Sequence, residues 1–198
     1  MNKDLLLDYK NHRDIKLIAV TDRKNCKGNF LVQLEKVALS KPAAIILREK
    51  DLEEEEYYSL ALRVKKICED NNITLILHNY IKTALKLDIK KIHLPLSVLE
   101  KTDKRELEDF ETIGVSVHSI EEANKAFESG ATYITAGHIF ETDCKAGLLG
   151  RGIGFLKEIV ENTTLPVYAI GGISVDNIDE VLATGCSGVC VMSETNKI

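Results

Sequence analysis

Three stretches of the sequence carry residues that could bind an anion or move a proton. The segment SVHS contains His118, whose imidazole can take up or deliver a proton near neutral pH. Gly137–Gly152 is a long, glycine-rich, polar stretch that contains Lys145, and loops of this length usually carry function. The segment AIGGIS contains Gly171 and Gly172, where an exposed backbone could approach an anion. The chemistry indicated is proton transfer on a ligand that is anchored by an anionic group.

A basic pair marks a fourth candidate site. Arg48 and Lys50 alternate in the segment LREK, directly after an apolar run. Side chains two apart on a strand point to the same face, so both would converge on one anionic group. A surface salt-bridge pair is the alternative, but the purely apolar run that leads into the pair favours the inward position.

Composition excludes several classes of partner. The net charge of -5 argues against nucleic acid and against an anionic membrane surface. The five cysteines form no CxxC pattern, and no secretory leader or long apolar run is visible, which predicts a reduced, cytoplasmic protein. No metal-binding set of His and Cys occurs, so we expect no metal and no cofactor. Without a linker or charge block, residues 1–198 are predicted to form a single domain.

The elements that would position these residues alternate in type along the chain. Amphipathic segments, such as the helical face that includes Tyr57, Ala61 and Val64, separate the apolar runs. Eight runs are predicted to be buried strands: Ile15–Val20, Ala43–Leu47, Thr74–Leu77, Lys91–Leu94, Gly114–Val117, Thr132–Ala136, Val167–Ile170 and Gly188–Met192. Polar residues follow nearly every run, whereas an open sheet shows its site at one switch point. The pattern therefore favours an α/β fold of the (β/α)8 TIM-barrel type.

The carboxyl-terminal end departs from the ideal barrel. The chain stops five residues after Ser193, so the barrel is predicted to lack a full C-terminal eighth helix. Met1–Asp14 or a neighbouring subunit would cover the gap, and the second arrangement makes a homodimer plausible.

The position of the diglycine in this order of strands predicts its ligand. The loops after strands seven and eight of such barrels usually hold phosphate. Gly171 and Gly172 follow the seventh run, Met192 ends the eighth, and Ser193 comes directly after it. A tight turn without a ligand is the alternative.

Taken in order, seven segments resemble the thiamine phosphate synthase superfamily. They are VTDR, LREK, HN, IGVSVHSIEEA, GHIFETDCKAGLLGRG, AIGGIS with DN, and VMS. The similarity runs from Leu17 to Ser193 and implies a (β/α)8 barrel. It also implies one of two activities. The synthases join a pyrimidine diphosphate to a thiazole phosphate using magnesium, and the TenI-type thiazole tautomerases isomerise a carboxythiazole phosphate to its aromatic form.

Departures from the synthase pattern favour the second activity. Synthases carry N-D where this chain has Asn79–Tyr80, and Val98 stands at the place of a second metal aspartate. Tyrosine and valine cannot replace the hard oxygen ligands of Mg²⁺. Ile46 also replaces a glutamine of the synthase pattern. The chain is therefore predicted to be an isomerase, a cofactor-free thiazole tautomerase of thiamine biosynthesis.

The resemblance implies a role for each matching residue. His118 is the acid/base, and the small-molecule thiazole phosphate substrate is the partner. The implied substrate contacts are Arg48, Lys50, Asn79, Ser116, Thr142, Lys145, Gly171, Gly172, Met192 and Ser193. Two alternatives stay open: a Mg-dependent thiamine phosphate synthase, and a non-catalytic regulator that binds a thiazole or thiamine phosphate.

Overall fold

Eight parallel strands close into a barrel in the computed structural model, which describes residues 15–142 and 147–196 without the side chains of residues 194 and 196. Each strand pairs with its neighbours in chain order, and β8 pairs with β1. The strands are β1 (Lys16–Val20), β2 (Ala44–Leu47), β3 (Thr74–His78), β4 (Lys91–Pro95), β5 (Thr112–Val117), β6 (Tyr133–Gly137), β7 (Val167–Ile170) and β8 (Gly188–Val191). The predicted (β/α)8 barrel is confirmed.

Helices follow the strands on the outside of the barrel. They are α1 (Phe30–Leu39), α2 (Glu54–Asp70), α3 (Ile81–Lys86), α4 (Leu96–Leu99), α5 (Lys104–Leu107), α6 (Ile120–Glu128), α7 (Gly152–Glu161) and α8 (Ile178–Leu182). The longest, α2, shows why they form. Its first turn is acidic, as the helix dipole favours, and Glu53 and Glu56 form a capping box. Tyr57, Ala61 and Val64 are buried on one face, as predicted.

The chain after β8 forms a short 3-10 helix, Ser193–Asn196, within the described residues. The prediction that no full helix follows the last strand is confirmed for these residues. Thr195 holds this turn in place, because its hydroxyl donates to the carbonyl of Met192 at 2.5 Å. Its own carbonyl accepts from Gln33 Nε2 of α1 at 2.7 Å. Met1–Asp14, predicted to cover the gap, lies outside the described residues.

The apolar residues form two separate cores. The larger lies between the strands and the surrounding helices. The smaller fills the inside of the barrel with Ile18, Val20, Ala44, Ile46, Ile76, Tyr133 and Cys190. Alternation of side chains along each strand separates the two sets. The inner core is the floor on which the residues at the carboxyl ends of the strands lie.

Two further observations concern membrane spans and cysteines in the described part of the chain. No helix there is long and apolar enough to cross a membrane. Cys26, Cys68, Cys186 and Cys190 are free thiols. Cys144 lies outside the described residues.

Candidate active site

A cavity of about 640 Å³ opens at the carboxyl ends of the strands. This is the end of a (β/α)8 barrel at which active sites occur. Nine of the eleven predicted site residues line it: Arg48, Lys50, Ser116, His118, Thr142, Gly171, Gly172, Met192 and Ser193. Lys145 lies outside the described residues. The structure therefore brings together residues that span more than 140 positions of sequence.

Asn79 is the predicted site residue that the structure does not place in the cavity lining. The preceding residue, His78, ends β3 with its side chain inside the barrel. Asn79 then turns away with a φ of 72°, and it is exposed. Its backbone N–H donates to the carbonyl of His93 at 3.0 Å. The turn after β3 thus uses Asn79 for its backbone conformation, which asparagine tolerates better than most residues.

The diglycine turn after β7 can be built only with glycine. Gly171 and Gly172 have φ values of 105° and 66°. A Cβ on Gly171 would lie 2.5 Å from the Cβ of His138, and one on Gly172 would lie 2.5 Å from the carbonyl oxygen of Glu141. The turn is held from the other side by Asn177, whose Nδ2 donates to the Gly172 carbonyl at 2.9 Å. Backbone atoms rather than side chains therefore face the cavity here, as in anion-binding turns.

The segment after β2 alternates as the sequence predicts. Arg48 and Lys50 line the cavity, whereas Glu49 between them is 3% exposed. Glu49 accepts a hydrogen bond from the hydroxyl of Thr21 at 2.7 Å, and burial raises the pKa of its carboxyl group. Arg48 reaches toward β8, with its Nη1 3.9 Å from the sulfur of Met192. The two basic groups therefore share the cavity with the end of β8.

His118 is held by a carboxylate that the sequence analysis missed. Glu122 Oε2 accepts from the backbone N–H of His118 at 2.6 Å and lies 3.2 Å from its Nδ1. The hydroxyl of Ser119 caps α6 by accepting from the Glu122 N–H at 3.2 Å. Ser119 and Glu122 have the spacing of a capping box, but the glutamate turns back to the histidine instead of to Ser119. A carboxylate at this position orients the ring and favours a proton on Nδ1.

A second set of polar side chains lies deeper in the cavity, on β4, β5 and β6. The Nδ1 of His93 lies 2.9 Å from the hydroxyl of Tyr133, and its Nε2 lies 2.9 Å from the Oγ of Ser116. Thr135 donates to the same Ser116 oxygen at 3.1 Å. We call these four residues the polar chain. Of the four, only Ser116 was predicted.

The buried histidines are uncharged at neutral pH. His93 is 3% exposed, and burial lowers its pKa to about 3, with Arg48 and Lys50 adding to the effect. His78 lies 5.9 Å from it, ring centre to ring centre. Burial lowers the pKa of His78 to about 2, and His93, Lys50 and Arg48 act in the same direction. Two neutral rings therefore face the cavity beneath two cations.

The described residues do not fit a magnesium site of the kind that the synthase pattern implies. The hydroxyl of Tyr80 donates to the carbonyl of Leu52, and its ring stacks on Tyr57 at 4.1 Å. Val98 is half-buried and packs against the core. No group of three or more His, Cys, Asp or Glu that could hold a metal occurs in residues 15–142 and 147–196. Mg²⁺ needs hard oxygen ligands, which these positions do not offer.

Comparisons with known proteins agree with the fold and name an activity. The family model described as "Thiamine monophosphate synthase" matches residues 17–195. A thiamine-phosphate synthase of Clostridium acetobutylicum is 37% identical over 182 residues, 91% of this chain and 86% of that protein. A putative thiamine-phosphate synthase 2 of Aquifex aeolicus is 33% identical over 178 residues, 90% of this chain and 96% of that protein. The solved thiamine phosphate pyrophosphorylase from Pyrococcus furiosus superimposes with a TM-score of 0.78 at 28% identity, covering 93% of each chain.

These relatives correct the predicted activity. The prediction of an isomerase, the thiazole tautomerase, is wrong, because relatives that are 34–37% identical over more than nine-tenths of the chain are named thiamine-phosphate synthase. The TenI-type subtype is likewise not confirmed. The prediction was wrong because it took Tyr80 and Val98, which replace two aspartates of the synthase pattern, as evidence about the reaction. Those positions show only how a cation could be held.

Proposed function

We propose, from the premise that this chain belongs to the thiamine monophosphate synthase family, that it is a transferase which joins a pyrimidine diphosphate to a thiazole phosphate. Besides membership of the family, one observation from the structure supports this proposal. A single cavity of about 640 Å³ holds both the diglycine turn and the basic pair Arg48 and Lys50. A cavity of this size accommodates a drug-sized ligand, and the turn and the basic pair provide separate places for two anionic groups.

The diglycine turn is the proposed site of the thiazole phosphate ester. Gly171 and Gly172 bring backbone close to the cavity, and Ser193 adds a hydroxyl from the 3-10 helix that follows β8. Asn177 fixes the turn before any ligand arrives. Such preorganised backbone dipoles bind phosphate without a further cation.

The basic pair is the proposed site of the diphosphate. In the coupling, the thiazole nitrogen supplies an electron pair and forms a bond to the carbon that carries the diphosphate. The bond from that carbon to the diphosphate oxygen breaks, and the diphosphate leaves with the bonding electrons. Negative charge therefore grows on the oxygen that departs. Arg48 and Lys50 stabilise that charge, and an arginine fork suits phosphate oxygens well. Because the described residues do not fit a magnesium site, we assign this neutralisation to the basic side chains of the chain itself.

Two further residues at the mouth of the cavity are proposed to contact the substrates. His118 is held by Glu122, so its imidazole has a fixed orientation at the rim. Thr142 lines the same rim. In this role His118 positions a substrate.

The experiment mixes the purified protein with both substrates in the presence of Mg²⁺ and measures thiamine phosphate by chromatography. Arg48→Gln and Lys50→Gln should each lower kcat/KM by about 10²-fold, as loss of one preorganised stabilising group does. Lys157→Gln is the matched control, since Lys157 is exposed on α7 and pairs with Glu161. If no coupled product forms while thiazole phosphate binds, the transferase proposal fails.

A homodimer is a separate proposal. Val32 and Leu39 of α1 are 53% and 65% exposed, beside the C-terminal turn that Gln33 holds. An apolar face of this kind favours association. Light scattering should give the mass of two chains, and Val32→Asp with Leu39→Asp should halve it.

The cytoplasmic location stays a prediction from cysteine usage.

A further inference from the structure

In the polar chain, the donor and the acceptor of each hydrogen bond can be assigned, starting from Tyr133. This side chain is 5% exposed, and its hydroxyl has one hydrogen-bond partner in the described part of the chain, His93 Nδ1 at 2.9 Å. A buried hydroxyl whose hydrogen finds no acceptor is unfavourable, because the lost bonds to water are not replaced. Tyr133 therefore donates to Nδ1.

The hydrogen bond from Tyr133 determines which nitrogen of His93 carries the hydrogen, and so which nitrogen donates to Ser116. A neutral histidine carries one N–H, and the nitrogen without it is an acceptor. Burial lowers the pKa of His93 to about 3, so the ring is neutral at physiological pH. With Nδ1 accepting from Tyr133, the hydrogen is on Nε2. That nitrogen then donates to Ser116 Oγ, 2.9 Å away.

Thr135 gives Ser116 a second donor. Its side chain is 2% exposed, and it donates to Ser116 Oγ at 3.1 Å. The two residues are register partners on β5 and β6, which brings their hydroxyls together. A serine oxygen accepts two hydrogen bonds, so both of its lone pairs are occupied. The hydrogen of Ser116 must then point elsewhere, and the side chain, which is half-buried, lines the cavity.

We propose that the polar chain fixes the Ser116 hydroxyl as a hydrogen-bond donor into the cavity and so selects a ligand that has an acceptor atom at this place. Tyr133, His93 and Thr135 are positioning residues, and Ser116 makes the contact. The identity of the acceptor rests on the proposed function, in which the unprotonated ring nitrogens of the pyrimidine supply it. The opposite direction would make Ser116 an acceptor and select a ligand N–H.

Gly114 makes this arrangement possible. It lies beside both His93 and Tyr133 in the barrel register. A Cβ on Gly114 would lie 2.1 Å from Cζ of Tyr133, so the phenol ring occupies the space of the missing side chain. The ring thereby crosses β5 from β6 and reaches the histidine on β4. A hydroxyl from a distant strand thus determines the tautomer of His93.

The first experiment needs no ligand. In ¹⁵N NMR spectra of the histidine-labelled protein at pH 7, His93 should carry its proton on Nε2 and show an unprotonated, hydrogen-bonded Nδ1. Tyr133→Phe should move the Nδ1 resonance toward the value of a nitrogen without a donor. Tyr168→Phe is the matched control, since Tyr168 packs edge-on against Tyr133 at 5.6 Å but lies outside the polar chain. A proton on Nδ1, or an Nδ1 shift that Tyr133→Phe leaves unchanged, would overturn the inference.

The second experiment measures the choice of ligand by calorimetry. The probes are thiamine phosphate and its two pyridine analogues, in each of which one pyrimidine nitrogen is replaced by C–H. One analogue should bind the unmodified protein about tenfold more weakly than thiamine phosphate, the size expected for one lost hydrogen bond. Ser116→Ala should remove that difference.

The outcomes of the two experiments separate the inference from the proposed function. Equal affinity of the unmodified protein for all three probes would overturn the assigned acceptor. Absence of thiamine phosphate binding would overturn that assignment together with the proposed function. A wrong tautomer in the free protein would overturn the inference alone.

Discussion

The two walls of the barrel cavity differ in chemistry. The wall from β1, β2 and β8 presents Val20, Ile46 and Cys190, which we call the apolar wall. The wall from β3 to β6 presents polar residues, which we call the polar wall: His78, His93, Ser116 and Thr135, with Tyr133 behind them. Both walls face the same cavity, and the basic pair lies at its rim.

The difference shows how one barrel interior can both stabilise the fold and orient a ligand. The apolar wall gains free energy by burial, which is not directional, so a ring face can lie against it in several orientations. The polar wall is different, because each buried polar atom needs a partner with defined geometry. Orientation of a ligand is therefore expected to come from the polar wall, whereas the apolar wall excludes water.

The largest effect is expected where the polar wall has no spare volume. Gly114→Ala would place a Cβ 2.1 Å from the Tyr133 ring, so the ring must leave its place beside His93. Overpacking of this kind should lower the free energy of unfolding by about 3 kcal/mol. Urea denaturation measures the change. Gly154→Ala is the control, because nothing lies within 4 Å of the added Cβ, and it should stabilise α7 by about 0.5–1 kcal/mol. A Gly114→Ala protein as stable as the unmodified one would contradict the packing described.

The second largest effect is on the pH dependence of stability, which should arise from the polar wall and not from the apolar wall. His78 and His93 have native pKa values of about 2 and about 3, lowered from 6.5. Below pH 6.5 the unfolded chain takes up protons that the native state refuses, so stability falls as the pH falls through this range. Each histidine should contribute a slope that is small above pH 7, about half of its limit at pH 6.5, and close to the limit of about 1.4 kcal/mol per pH unit near pH 5.

Urea midpoints between pH 5 and 7.5 test this slope against two variants. His78→Gln should remove about half of the histidine contribution. Ile46→Val, on the apolar wall, should leave the slope unchanged. A slope that is the same in all three proteins would show that the buried histidines do not cause it.

Much of the fold could be predicted because its signals are local. Apolar runs of four to six residues alternate with amphipathic helices, and the structural strands β1 and β5 begin within two residues of the predicted ones. The place of the diglycine turn was predictable for the same reason, since it directly follows the seventh strand; its binding of phosphate stays a prediction.

The polar wall could not be predicted, because its partners are distant in sequence. His93 meets Tyr133, 40 residues away, only when three strands lie side by side in one register. No spacing in the sequence marks such a pair. The Glu122 contact was missed for the opposite reason. The local capping rule for a serine followed three residues later by a glutamate would direct that carboxylate to the N–H of Ser119, whereas in the structure it accepts from the N–H of His118.

The smallest expected effect compares two substitutions of similar size, one on each wall. Thr135→Val keeps the side-chain shape and removes one donor to Ser116, which should cost about 1 kcal/mol of stability. Ile46→Val removes one methylene group from the apolar wall and should cost about the same. Their effects on ligand binding should nevertheless differ. Without Thr135 the Ser116 hydrogen can turn toward β6, so the affinity for thiamine phosphate should fall about threefold more than in Ile46→Val. Calorimetry and urea denaturation on both variants measure the two quantities. Equal losses of affinity at equal stability would mean that the two walls bind the ligand in the same, non-directional way.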